Sequence, residues 1–185
     1  GLQPVRVDAN QFEGDATTRI TLGVNLPATD TAADATGDPR SMALEYFGNL
    51  GQAQNLDIAF TPTVPTPPAT AATNEWTVTI NDDAQSGAPV GEFTVTFEDT
   101  REFGGTIATV VPGAVGAYDP VTGLIEVAVQ SGSMEIDIGR PLEARGLSQL
   151  SDTYAPLSVT KNGSPVGNLA SIEVDALGML TAIYD

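Results

Sequence analysis

The chain has 185 residues and a formal net charge of −17, with 24 acidic residues against 7 basic ones. This length allows one large domain or two small ones. Histidine and cysteine are absent, which excludes Ser-His-Asp and Cys-His catalysis, zinc–thiolate sites and thiol redox chemistry. The basic residues are scattered, so they offer neither the cationic cluster that a phosphate backbone needs nor attraction to an anionic membrane.

The first residues do not have the pattern of a targeting segment. Residues 1–10 lack the basic start and the apolar core of a signal peptide. No apolar run reaches the roughly 18 residues that are needed to cross a bilayer. Because the chain has no initiator Met, we expect it to be a fragment or a processed product.

Two-residue alternation of apolar and polar side chains dominates the sequence. This pattern is typical of strands that place one face on a core and the other in water. It predicts, in chain order, strands at 20–26, 42–46, 56–60, 76–80, 93–97, 107–111, 124–129, 134–138, 157–159, 172–174 and 180–184. The chain carries no convincing apolar helix stripe with caps, and residues 141–150 are predicted to form a loop or a single turn. The sequence therefore predicts an all-β fold.

Turn-forming residues separate the predicted strands. Residues 48–51 and 119–123 are predicted to reverse the chain, and 175–178 to form another short reversal. Asn162-Gly163 is the favoured pair for a tight type I′ hairpin. Two further segments are predicted to be loops. Residues 28–40 form an exposed excursion, and the proline-rich residues 61–73 form a stiff connection or, alternatively, a ligand for a proline-binding domain.

Carboxylates and the single tryptophan are the residues that remain as candidates for chemistry. The run Asn81-Asp82-Asp83 lacks the spacing of a calcium loop and is predicted to lie in a turn. Glu98-Asp99, or Glu135 with Asp137, match a glycosidase pair only in residue type, and the second pair is expected on a solvated strand face. Trp76 alternates with apolar residues, which favours a core position over a sugar platform. We predict no catalytic, cofactor-binding or metal-binding residues.

Five stretches occur in an order that is similar to one protein family. They are Thr21-Leu22-Gly23-Val24-Asn25-Leu26-Pro27-Ala28-Thr29-Asp30, residues 44–60, Asn74-Glu75-Trp76-Thr77-Val78, residues 118–124, and residues 163–184. The first resembles the strand that opens the outer domain of bacterial flagellar hook proteins. The others are similar to that family's hairpin, its N-x-W-x-V strand, its F-D-x-x-G-x-L turn and its final Gly- and Ile-rich signature. Two stretches differ from the family pattern: Lys161-Asn162-Gly163-Ser164 replaces Q-D-G-Y, and Phe47-Gly48-Asn49 replaces Tyr-Asp-Ser.

The resemblance also implies a domain arrangement. It predicts an inter-domain linker or strand at 1–13, the outer β domain of a hook protein at 14–144, and a β-rich returning part of the inner domain at 145–185. The outer domain is expected to be an antiparallel β-sandwich or barrel-like fold, with a small β-rich segment of a second domain beside it. The long heptad helices found at both ends of hook proteins are absent from this chain.

The function that the resemblance implies is structural. Hook subunits form a curved, flexible tube, a universal joint that transmits motor torque to the filament. The expected partners are copies of the same protein and other flagellar axial proteins (hook cap, junction and rod), with no nucleic acid, membrane, cofactor or metal. The expected location is the extracellular hook, reached through the flagellar secretion channel without a cleaved signal peptide. Because the terminal helices are missing, the chain alone is expected to be monomeric. Because its residues offer no catalytic chemistry, it is not expected to be an enzyme.

Three alternatives remain open from the sequence. The first is an extracellular carbohydrate-binding or adhesin-type β-sandwich, which would need exposed aromatic residues on one flat face. The second is a phage tail or other appendage module with the same β composition. The third is a carboxylate-dependent hydrolase that uses Glu135 and Asp137.

Overall fold

The structure is a computed structural model that describes residues 14–165, 169–174 and 180–184. The predicted linker at 1–13 and the predicted turn at 175–178 lie outside the described residues.

The described residues form thirteen strands and one short 3₁₀ helix, Ala28–Thr31. The strands are β1 (Arg19–Leu26), β2 (Arg40–Phe47), β3 (Ala53–Pro62), β4 (Glu75–Asp82), β5 (Gly91–Phe97), β6 (Ile107–Pro112), β7 (Ala117–Asp119), β8 (Leu124–Val129), β9 (Gly132–Asp137), β10 (Leu147–Gln149), β11 (Ala155–Lys161), β12 (Leu169–Val174) and β13 (Leu180–Tyr184). Every strand that the alternation predicts is present. The strands β7 and β10 were not predicted, because three residues are too few to show an alternation of apolar and polar side chains.

The first sheet is a five-stranded antiparallel meander in the order β2-β3-β4-β5-β6. Its connections follow the predicted turn chemistry: the amide of Gly51 bonds to the carbonyl of Gly48 in the β2–β3 turn. Alternate side chains of β4 and β5 are buried, as the two-residue period predicts.

The second sheet is mixed, in the order β10-β1-β9-β8-β7, with β11 also paired to β1. β1 runs parallel to β9 through its first half and parallel to β10 through its second half, whereas β11 pairs antiparallel along nearly all of its length. The strand β11 occupies one edge of β1. The strands β9 and β10 therefore both pair with the other edge, one after the other along β1. Residues 139–146 leave that line as a loop and return, and the Leu147 amide bonds to the Ile138 carbonyl at 2.8 Å.

The hydrophobic core lies between the two sheets. Its largest fully buried side chains are Trp76, Tyr46, Phe60 and Phe93, and they are joined by aliphatic residues from both sheets. An interior void of about 10 Å³, lined only by apolar side chains, is too small to hold a ligand. The prediction of an all-β, sandwich-like fold is therefore confirmed, although the parallel pairings of β1 were not predicted.

The chain enters and leaves this sandwich at one point. Asp15 and Ser164 form an antiparallel bridge, with reciprocal amide-to-carbonyl distances of 3.1 and 2.9 Å. The side-chain oxygen of Asn162 accepts hydrogen bonds from the amides of Thr18 and Arg19, both at 2.9 Å. The predicted hairpin at Asn162-Gly163 is therefore wrong. The antiparallel pairing of β11 with β1 continues past these two residues to the Asp15–Ser164 bridge, with an irregular register between. Gly163 allows this irregular backbone because it adopts a positive φ of 86°.

Two strands that follow residue 144 belong to the second sheet. β10 and β11 both pair with β1, and Leu147 and Gln149 of β10 are buried in the sandwich. β12 and β13 pair with each other in a separate two-stranded sheet. The division of the chain at residue 145 stays a prediction.

Candidate functional site

A buried carboxylate, Asp82, joins the two sheets at one end of the sandwich. It is the last residue of β4, and only 3% of it is exposed. Its oxygens accept hydrogen bonds from the Tyr46 hydroxyl (2.7 Å), the Gln85 amide group (2.9 Å), and the backbone amides of Ala84 (3.1 Å) and Gln130 (2.8 Å). The predicted turn begins only at Asp83. Because protein donors occupy its oxygens, Asp82 is a structural anchor and a poor metal ligand.

The surroundings of Asp82 shift two pKa values. Burial raises the pKa of the Asp82 carboxyl, but the hydrogen bonds from Gln85, Tyr46 and the two amides outweigh burial and leave that pKa below its ordinary range. The pKa of Tyr46 is raised, first by burial and then by its hydrogen bond to Asp82. Asp82 is therefore held as a carboxylate and Tyr46 as a neutral phenol at neutral pH.

The candidate pair Glu135 and Asp137 does not form a cleft. Both belong to β9, but Glu135 is exposed whereas Asp137 is only 7% exposed. Asp137 forms an ion pair with Arg145 at 2.7 Å and accepts a hydrogen bond from the Gly139 amide at 3.1 Å. The expectation of a solvated face is therefore wrong for Asp137, because the loop of residues 139–146 folds back over it. An ion-paired carboxylate that fastens a loop is not placed for acid–base chemistry.

Trp76 lies in the core, as the alternation predicts, with no measurable exposure. Its indole N–H donates to the side-chain oxygen of Gln149 at 2.7 Å, and the Gln149 amide group donates to the Asn74 side chain at 3.0 Å. This position removes Trp76 as a sugar-stacking platform. The sequence could not identify Gln149 as its partner, because the two residues are separated by 73 positions.

Two ion pairs at the surface join parts of the chain that are distant in the fold. Arg40 forms an ion pair with Asp30 of the 28–40 excursion at 2.9 Å, and its guanidinium lies 5.9 Å from the centre of the Tyr154 ring. Lys161 of β11 contacts Glu45 of β2 at 3.2 Å, which joins the edges of the two sheets. These are partly exposed pairs, so each adds little stability and mainly fixes position.

The outer faces of both sheets carry carboxylates, which on the meander are Glu45, Asp57, Glu75 and Glu92. On the meander, six neighbouring outward side chains, all partly exposed, form what we call the threonine face: Ala59, Thr61, Thr77, Thr79, Thr94 and Thr96. On the second sheet, the exposed carboxylates of Asp119, Glu126 and Glu135 form what we call the acidic face, where Glu126 and Glu135 are direct cross-strand partners. The Thr-x-Thr spacing in β4 and β5 is the sequence signal from which the threonine face could have been predicted.

Within the described part of the chain, no group of three or more carboxylates is arranged to hold a metal ion. The described residues also include no helix that is long and apolar enough to span a membrane.

Comparison with known proteins finds a sequence relative and solved structures to which this chain is similar. No protein-family model matches the chain. The flagellar hook protein FlgE of Caulobacter vibrioides is 31% identical over 100 residues, which are 54% of this chain and 17% of that protein. The chain thus spans less than a fifth of this relative's length. The crystal structure of Helicobacter pylori flagellar hook protein FlgE2 aligns with 79% of this chain and 29% of that chain, at 13% identity and a TM-score of 0.45.

The sequence relative belongs to the family that the five motif stretches resemble. The match over 100 residues thus confirms the resemblance that the motifs indicate: the chain is similar to a segment of a flagellar hook protein.

Proposed function

We propose that this chain is part of a structural subunit of the bacterial flagellar hook, and that it acts through contacts with copies of itself. The observation that carries the proposal is the 31% identity to a flagellar hook protein. In the finer form of the proposal, the longer protein builds a curved, flexible tube that transmits motor torque to the filament. The other axial proteins would be its neighbours, and the subunit would be exported through the flagellar secretion channel.

The internal structure of the chain supports a passive role. Its buried polar side chains are used to join strands and loops: Asp82 with Tyr46, Asp137 with Arg145, and Gln149 with Trp76. A rigid sandwich of this kind can be repeated along a helix, because heterologous contacts that do not close into a ring generate filaments and tubes. The proposal therefore includes no catalytic step.

The location of the protein tests the proposal. Antibodies raised against the purified chain are applied to intact flagella of the source bacterium, and gold-labelled antibody is located by electron microscopy. The proposal predicts labelling of the short segment between cell body and filament. Labelling spread over the cell surface would instead favour the adhesin alternative.

Assembly of the protein provides a second test. Purified longer protein that contains this segment is expected to polymerise into tubes visible in negative stain. The 185-residue chain alone is expected to remain monomeric at micromolar concentration in sedimentation velocity. Ordered tubes formed by the chain alone would contradict the proposed need for segments outside it.

A further inference from the structure

We infer that the side-chain amide of Asn162 is a site of spontaneous deamidation, and that hydrogen bonds of the folded chain slow this modification. Asn162 lies where the chain leaves the sandwich, beside the bridge between Asp15 and Ser164. We call the paired segments 15–19 and 162–164 the entry junction. The substrate is the chain itself and the co-reactant is water, so the modification is independent of the proposed function.

The sequence makes Asn162 the most reactive asparagine of the chain. In deamidation, the backbone nitrogen of the following residue attacks the carbon of the side-chain amide, and a side chain on that following residue hinders the attack. Glycine has no Cβ and offers no such hindrance. Asn162 is the only asparagine of the chain that precedes a glycine, whereas the others precede larger residues such as leucine, aspartate or glutamate.

The reaction balances with one molecule of water for each amide. The Gly163 nitrogen loses its proton and forms a bond to Cγ of Asn162, while the bond from Cγ to Nδ2 breaks. Nδ2 takes up a proton and leaves as ammonia, so that a cyclic succinimide remains. Water then opens the ring at either carbonyl and gives aspartate or isoaspartate. No oxidant or reductant is needed, and each event adds one negative charge to the chain.

The attacking nitrogen and the solvent are both available in the folded chain. Asn162 and Gly163 are exposed. Within the described residues, the Gly163 amide donates to no protein acceptor. The amides on either side of it are bonded. That of Asn162 donates to the Arg19 carbonyl at 3.1 Å, and that of Ser164 donates to the Asp15 carbonyl at 2.9 Å. Burial therefore does not protect this site.

The Asn162 side chain is instead restrained by three hydrogen bonds within the entry junction. Its oxygen accepts from the amides of Thr18 and Arg19, both at 2.9 Å, and Nδ2 donates to the Thr18 hydroxyl at 2.7 Å. Ring closure moves Cγ onto the Gly163 nitrogen and releases Nδ2, so these bonds must break first. Three bonds of ordinary net strength predict that the folded chain reacts about a hundredfold more slowly than the unfolded chain.

Deamidation rates of the 185-residue chain test the inference. The folded chain and the same chain unfolded in urea are incubated at one mildly alkaline pH. Ion exchange separates the product by its added charge, and peptide mass mapping locates it. We expect Asn162 to be the fastest site in the unfolded chain and about a hundredfold slower in the folded one. The slowing should match the hydrogen-exchange protection of the Thr18 and Arg19 amides, since the same opening releases them.

A pair of threonine variants provides a second measurement. Thr18→Val removes the hydroxyl that holds Nδ2 and keeps nearly the same side-chain shape. The matched control is Thr160→Val, the same change at an exposed position of β11, opposite Thr21. The loss of one hydrogen bond predicts folded deamidation about fivefold faster in Thr18→Val and unchanged in Thr160→Val. Circular dichroism establishes that both variants fold, and the exchange comparison in the wild type needs neither.

Three results would overturn the inference. Equal rates in the folded and unfolded chains would show that the entry junction does not restrain Asn162. Faster modification of another asparagine in the unfolded chain would remove Asn162 as the preferred site. Equal folded rates in the two valine variants would show that the Thr18 hydroxyl does not hold the amide. None of these results bears on the proposed function, which is judged by the location and assembly of the longer protein.

Discussion

The hydrogen bond between Tyr46 and Asp82 offers the sharpest test of the structure. Tyr46→Phe removes only the hydroxyl from a side chain with no measurable exposure. Asp82 keeps its three other donors, so no buried carboxylate oxygen is stranded. The loss is therefore that of one hydrogen bond to a charged acceptor, which corresponds to about 1.5–3 kcal/mol of unfolding free energy.

Urea unfolding measures this change directly. The chain contains one tryptophan, and because Trp76 is buried its fluorescence reports the loss of the core. The midpoint is expected to fall while the slope with urea stays the same, since the exposed area on unfolding is unchanged. The control is Tyr154→Phe, whose partly exposed hydroxyl makes only a long contact to the Ser41 carbonyl at 3.4 Å. That variant is expected to lose less than about 0.5 kcal/mol.

The same pair has a pH signature with a defined sign. The pKa of Asp82 in the folded chain lies below its ordinary value of 3.8, so the charged form is favoured by folding. Its contribution to stability is present above that ordinary value and is lost as the pH falls through the lowered pKa. The difference between the wild type and Tyr46→Phe is therefore expected to shrink in acid. Equal stability of the two proteins at neutral pH would refute the hydrogen bond on which this reasoning rests.

Three further variants test other parts of the structure. Gly146→Ala is expected to cost about 3 kcal/mol or more, since the residue has a φ of +81° and a Cβ would lie 2.0 Å from the Ile138 carbonyl oxygen. Gln149→Ala leaves the buried Trp76 N–H without an acceptor, and is expected to cost about 1–3 kcal/mol and to shift the tryptophan emission. Burial raises the pKa of Tyr118 to about 12, so stability is expected to fall as the pH rises above 10, and Tyr118→Phe should reduce that fall.

Each of these variants has its own control or contrary result. Gly87→Ala has a comparable positive φ but no atom within 4 Å of the new Cβ, so it separates backbone strain from the clash at Gly146. Equal losses from the two alanine variants would show that the clash is absent. An unchanged emission spectrum in Gln149→Ala would contradict its contact with Trp76. An identical alkaline profile for Tyr118→Phe would show that folding does not raise the pKa of this phenol.

The strands could be predicted from the sequence because the two-residue period is a local property. Ile20, Val78 and Val95 are buried at the positions where the alternation places them. The parallel pairing of β1 could not be predicted, since it depends on residues more than 100 positions away in β9 and β10. Asn162-Gly163 shows the same limit. The pair suits a hairpin locally, but Asn162 is needed to bind the amides at the start of β1.

Among the candidate site residues, the sequence predicted the position of Trp76 but not the burial of the two aspartates. The sequence identified Trp76 as a core residue from its neighbours, and the structure places it there. The sequence could not show that Asp82 and Asp137 are buried. Asp82 is covered by contacts that include Tyr46, and Asp137 is covered by the loop that carries Arg145. Charged residues on a strand are ordinarily solvated, and only a covering segment distant in sequence changes that expectation.

The bridge between Asp15 and Ser164 would set the path of a pulling force applied to the chain on either side of the sandwich. Because the two residues are hydrogen-bonded neighbours, and Asn162 bonds to Thr18 and Arg19 beside them, such a force passes between the two segments close to their ends. The strands between the two residues would then bear little of the tension. They resemble an inserted domain whose two ends lie close together. Such a body can tilt about its attachment while its interior stays unstrained. Force would enter it sideways, through whatever presses on its faces.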